Sequence, residues 1–147
     1  MKNRILIDKQ IKDRDITKKF IKDITADILK SLNLDNVEVS ITLTDDETIR
    51  QINRDWRGQN KPTDVLSFPL EETIGYRYKV LGDIIISVPY AKRQAHQIGL
   101  TEREEILRLL IHGILHLLGY DHERSEEDEK IMFEIQDKIF YQLKSRL

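Results

Sequence analysis

Three of the chain's four histidines, His112, His116 and His122, crowd into one short stretch. On an α-helix, His112 and His116 stand one turn apart on the same face, so both imidazoles can reach a common point. Gly119 suits the left-handed residue that ends a helix. The chain beyond it can then turn and bring His122 back toward the pair. Three neutral imidazoles with a fourth position left open is the arrangement of a catalytic zinc site. The chemistry this predicts is metal-dependent hydrolysis.

A histidine pair at helical spacing can also be two core side chains bonded to backbone. The third histidine and the glycine argue for the metal, because His112, His116, Gly119 and His122 keep the spacing of the metzincin pattern. One position departs from it. The residue after the first histidine, where a metzincin carries its glutamate base, is Gly113. Glycine inside a helix costs ~1 kcal/mol relative to alanine, so Gly113 predicts close packing against another group. Lacking the proton acceptor, a peptidase is a poor first reading.

These residues need elements to position them. At 147 residues the chain predicts one domain with a real core. No apolar run is long enough to span a membrane, and the first residues lack a signal-peptide pattern, so the expected location is the cytoplasm. Cysteine is absent, which removes disulfides, thiolate zinc ligands and thiol nucleophiles together. A net charge of −2 does not announce a nucleic-acid binder. Arg50, Arg54, Arg57 and Lys61 recur along one stretch and acids crowd 102–105 and 121–129, a pattern that by itself reads as solvated surface.

Residues 4–8 predict a strand, and a helix from Asp15 carries the apolar stripe Ile16, Phe20, Ile21, Ile24, Ile28 and Leu29. Val37 to Leu43 alternates as a strand with one buried face. Thr44 to Glu47 reads as a capping box opening a helix to about Arg54, and 56–63 as a loop. Asp64 to Phe68 is a short strand stopped by Pro69, 70–80 a mobile hairpin or flap, and Leu81 to Ser87 the most apolar and central strand. Ser87 caps a helix, with Pro89 in its first turn, that runs to Gly99. Thr101 to Glu104 is a second capping box, starting the histidine helix, which is apolar on nearly every side from Ile106 to Leu118 and therefore buried. Its two imidazoles then need partners, and a metal would supply one. Ser125 caps a last helix whose Met132, Phe133, Ile135, Ile139, Phe140 and Leu143 face the core. The architecture expected is an α+β single domain: a small mixed, mostly parallel sheet of three or four strands, packed by helices around a buried central helix.

The run from His112 to His122 (HGILHLLGYDH) resembles the signature of the YbeY endoribonucleases, bacterial rRNA maturation factors. Asn60 to Pro69 (NKPTDVLSFP) and Leu81 to Ser87 (LGDIIIS) agree with it, in the same order. The resemblance implies a metal-dependent, single-strand-specific endoribonuclease. Its role would be in rRNA processing, notably at the 3′ end of small-subunit rRNA, and in ribosome quality control, with ribosomal subunits or proteins as partners. It places the ligand histidines on His112, His116 and His122, with zinc as the usual metal; another divalent transition metal such as nickel is the alternative the ligands leave open. The functionally important arginine falls on Arg57, with Lys61 nearby for substrate. Where many relatives carry tyrosine before that arginine, this chain has Trp56.

Such a zinc site lowers the pKa of water to around 7, and a fixed guanidinium at Arg57 suits the charge that grows on a phosphodiester in the transition state. No general base stands out: a metal hydroxide, the 2′-hydroxyl of RNA, or a carboxylate such as Asp64, Asp83 or Asp121 are the candidates. Asp121 could equally orient an imidazole. Trp56, Phe68 and Tyr120 are expected in the core, with base stacking as the alternative, and His96 as an ordinary helix-face residue. The competing readings are a metal hydrolase acting on peptides or small molecules, and a ribosome-assembly factor with a structural metal.

Overall fold

The computed structural model describes residues 2–70, 77–120 and 124–147. Its four strands are β1 (Arg4–Lys9), β2 (Val37–Thr44), β3 (Val65–Pro69) and β4 (Lys79–Ser87), in one sheet of order β1-β2-β4-β3. β1, β2 and β4 run parallel, and β3 pairs antiparallel with β4 at the sheet edge. Among the described residues there are five α-helices: α1 (Lys18–Ser31), α2 (Asp46–Arg57), α3 (Val88–Ile98), α4 (Glu102–Leu117) and α5 (Glu126–Leu143). This is the mixed, mostly parallel α+β arrangement that the interleaved elements predict. No helix among the described residues is long and apolar enough to cross a membrane.

The core fills one face of the sheet. Val39, Ile41 and Leu43 of β2 meet Ile84 and Ile86 of β4 there, beneath residues of α1, α4 and α5. In α4, Ile106, Leu107, Leu110, Ile111, Ile114 and Leu115 are wholly buried, which makes it the central helix. Its first turn has both halves of the capping box: Glu104 N–H donates to Thr101 Oγ1 at 3.1 Å, and Thr101 N–H donates to Glu104 Oε1 at 2.8 Å.

Four expectations shift. β2 is buried at six of its eight positions rather than on one face, because it lies between two other strands and Arg4 of β1 covers Glu38 at 3.4 Å. α1 starts at Lys18, capped by Thr17. Before it, Asp13 accepts from the Asp15 and Ile16 N–H groups and holds the chain in a turn. α2 is capped by Asp45 rather than Thr44 and runs on to Arg57, ending where Gly58 takes a left-handed φ of 71°. Trp56 and Arg57 are therefore helical and not in a loop. β3 pairs antiparallel with β4; of the expected hairpin or flap at 70–80, residues 71–76 lie outside the described residues and 79–80 belong to β4.

Candidate active site

The histidine helix is not apolar all round. Arg108, His112 and His116 sit at i, i+4 and i+8 and form one half-buried stripe on an α4 that is otherwise buried from Glu105 to Leu117. The helix amphipathicity is thus a narrow polar seam.

His112 Nε2 and His116 Nε2 lie 3.1 Å apart. On the other side of the His112 ring, Nδ1 is 2.9 Å from Gln136 Oε1 of α5. An amide oxygen can only accept, so Nδ1 carries the proton and Nε2 is left with its lone pair toward His116. This is the arrangement by which an outer partner fixes the tautomer of a metal-ligating imidazole. Two nitrogen ligands on one tetrahedral ion stand about 3.3 Å apart, so the two histidines fit a shared divalent cation. Gln136 is buried. It was missed in the sequence, although a glutamine in step with Met132, Ile139 and Phe140 on a core-facing stripe is a signal.

Gly113 explains the absent glutamate. A Cβ there would meet the Ile84 side chain of β4 at 3.1–3.3 Å, so α4 rests on the sheet at this residue. The side chain of a base at 113 would point into the core, on the side of α4 that meets the sheet.

α4 ends as the glycine predicts. Gly119, at φ 98°, donates to His116 O, and Tyr120 N–H donates to Leu115 O, both at 3.0 Å, which is a Schellman closure. His122 and Asp121 lie outside the described residues.

The opposite wall comes from α2 and the loop after it. Arg57 Nη2 donates to the Ser67 carbonyl of the edge strand at 3.1 Å, and its guanidinium carbon lies 5.7 Å from the Phe68 ring centre. Buried Asn53 donates to the Lys61 carbonyl at 2.9 Å and pins the loop. A cleft of about 920 Å³ results, lined by Arg57, Lys61, Asp64, Arg108, His112 and His116 among others. The structure thus gathers Arg57, Lys61 and Asp64 from one stretch and the two described histidines from α4 into one space.

The remaining candidates differ in place and in what surrounds them. Asp64 lines the cleft, but Val65 N–H (2.7 Å), Thr63 Oγ1 (3.2 Å) and Gln94 Nε2 (2.9 Å) already surround its carboxylate. It braces the wall. Gln94 also bonds Glu105, a fully buried carboxylate that grips Arg108 at 2.6 and 2.8 Å and holds that guanidinium above its ordinary pKa. Asp83 does not line the cleft: it is exposed and alternates with Ile84, so it points to the sheet face away from α4. His96 is an exposed helix-face residue, as expected. Tyr120 packs against the core. Trp56 does not, being 75% exposed. The expectation of a core tryptophan fails because α2 carries it past the covered part of the sheet.

The Endoribonuclease YbeY family model matches residues 6–144. The chain belongs to the YbeY endoribonuclease family. A Sulfurihydrogenibium sp. (strain YO3AOP1) protein named endoribonuclease YbeY is 70% identical over 146 residues, spanning 99% of this chain and 96% of that one. A YbeY relative from Aquifex aeolicus (strain VF5) is 45% identical, spanning 99% and 95%. The solution structure of TM1509 from Thermotoga maritima superposes with a TM-score of 0.68 at 31% identity, covering 99% of this chain and 91% of that one.

Proposed function

We propose that the chain is a metal-dependent endoribonuclease that cuts single-stranded rRNA in the cytoplasm, at the 3′ end of small-subunit rRNA and in ribosome quality control. The observation that carries this reading is the convergence of Arg57 with His112 and His116 in one cleft. Ribosomal subunits or their proteins would present the substrate.

His112, His116 and His122 would hold the cation, zinc by preference and nickel as an alternative. When bound, the cation supplies Lewis acidity and makes water acidic enough to deprotonate near neutral pH. Gln136 keeps the His112 proton on Nδ1, so Nε2 stays available as a donor of its lone pair. Arg57 binds the scissile phosphate. Its bond to the Ser67 carbonyl fixes the guanidinium before substrate arrives, so little reorganisation is needed as charge develops. Among the described residues neither Arg57 nor Lys61 is paired with a carboxylate, unlike Arg50, Arg54 and Arg108. Both therefore offer uncompensated positive charge to phosphate. Asp121 is the candidate for orienting a ligand imidazole.

Gly113 against Ile84 disfavours a peptidase, which needs a base where this helix meets the sheet. The test is cleavage of a single-stranded rRNA fragment by metal-loaded protein. Arg57→Ala is expected to lower the rate about 10²- to 10³-fold, as for loss of one transition-state donor, and His116→Ala to abolish cutting and weaken metal binding. Undiminished cleavage in both variants overturns the reading.

A further inference from the structure

Trp56 is the only tryptophan in the chain, and three-quarters of its surface is open to solvent. Tyr120 and Phe140, by contrast, pack against or within the core. An indole placed this way forgoes the stabilisation that burial of a large apolar side chain would give. Its position is nevertheless fixed: it stands on the last turn of α2, one residue before Arg57. Its ring meets Phe68 edge-on, with centres 6.2 Å apart and planes at 62°. Phe68 in turn lies under the Arg57 guanidinium. Phe68 is therefore the link between the cleft's arginine and the open indole. The contact braces the indole on one side, and with three-quarters of the residue exposed most of the ring stays open.

We infer that the open face of Trp56, braced by Phe68, is a stacking subsite for one nucleobase of a single-stranded polynucleotide, adjacent to the phosphate bound at Arg57. The inference rests on the endoribonuclease reading and adds to it how an unpaired strand is told from a duplex. Positive charge beside an aromatic platform is the recurring arrangement for single strands, because charge tracks the backbone while the ring takes any base. Here Arg57 and Lys61 supply the charge and Trp56 the platform. A duplex hides its base faces in the helical stack, so it can use the arginine but not the indole. Stacking on an aromatic is tolerant of base identity. The subsite therefore selects strandedness rather than sequence.

The test uses the whole protein and an oligoribonucleotide with 2′-O-methyl sugars and phosphorothioate linkages, which resists attack by either the 2′-oxygen or water, with the fluorescence of Trp56 as one readout and anisotropy of the labelled oligonucleotide as the other. The single strand is expected to quench the tryptophan. A strand of the same length with abasic sugars opposite the site, or a fully paired duplex, is expected to leave emission unchanged. Trp56→Ala should weaken single-strand binding about ten-fold and leave duplex binding as it was, while Trp56→Phe recovers most of the loss. Exposure of the side chain lets both variants fold. Equal quenching by abasic and normal strands, or unchanged single-strand binding in Trp56→Ala, overturns the subsite. So does an emission shift that depends only on protein concentration, which would mean that a second copy covers the indole. If RNA is cut with Trp56 silent, the subsite alone falls; if wild-type protein neither binds nor cuts RNA, the endoribonuclease reading falls with it.

Discussion

Gln136 Oε1 and His112 Nδ1 lie 2.9 Å apart, a bond between α5 and α4 that decides which nitrogen of the imidazole faces the cleft. Replacing Gln136 with Met keeps the volume and removes the acceptor. The His112 proton is then free to move to Nε2, and the ring to turn. Loss of such an outer partner costs roughly 10- to 100-fold in metal affinity. Competition with a chelator measures it, and the thermal transition of the metal-free protein should move little by comparison.

Gly113→Glu would recreate the metzincin spacing in sequence and fail in structure. Its Cβ meets Ile84 at 3.1–3.3 Å, and its carboxylate enters a core with no partner. Overpacking and an unpaired buried charge together predict a loss of at least ~3 kcal/mol. Denaturant unfolding checks the loss. Appearance of peptidase activity in a stably folded variant would contradict this account.

Lys61 contributes charge rather than fixed geometry. Its backbone is held by Asn53, while its side chain lines the cleft. Lys61→Ala should weaken binding of every single strand alike. The slope of log K against log salt should become shallower by about 0.7, the value for one phosphate contact on a single strand. Titrations at several salt concentrations read this directly.

Asp13 ties the turn before α1 to α3. Burial on its own raises the carboxyl pKa, but the bond from Lys92 and the Ile16 and Asp15 N–H groups outweighs it, so the pKa falls below the ordinary 3.8. A depressed folded value means the stabilisation is complete above the unfolded pKa and fades as pH drops through the folded one. Asp13→Asn keeps an oxygen for the backbone donors and deletes the charge. It should lower stability by ~1 kcal/mol at pH 7 and flatten the loss between about pH 5 and pH 3. Melting temperatures across that range test the sign.

Local patterning determined much of this protein. The capping residues Ser87, Thr101 and Ser125, the Schellman glycine Gly119 and the apolar strand 81–87 are decided by short-range bonds and periodicity, so they are legible without the fold. The spacing of His112 and His116 likewise specifies one helix face, and Gly113 announces a close approach whose partner, Ile84, the sequence does not name. What lay beyond reach depends on packing between distant segments. The burial of Glu38 and Thr44 on the second face of β2, the extension of α2 to Arg57, and the exposure of Trp56 follow from which elements lie side by side. Gln136 reads as a polar residue on a core stripe until α5 is laid on α4, and Glu105 as a helix-start acid until Arg108 and Gln94 close around it. Strand order decides the rest: with β3 at the sheet edge, α2 and α4 reach it from opposite faces, and Arg57 comes to share a cleft with two histidines more than fifty residues away.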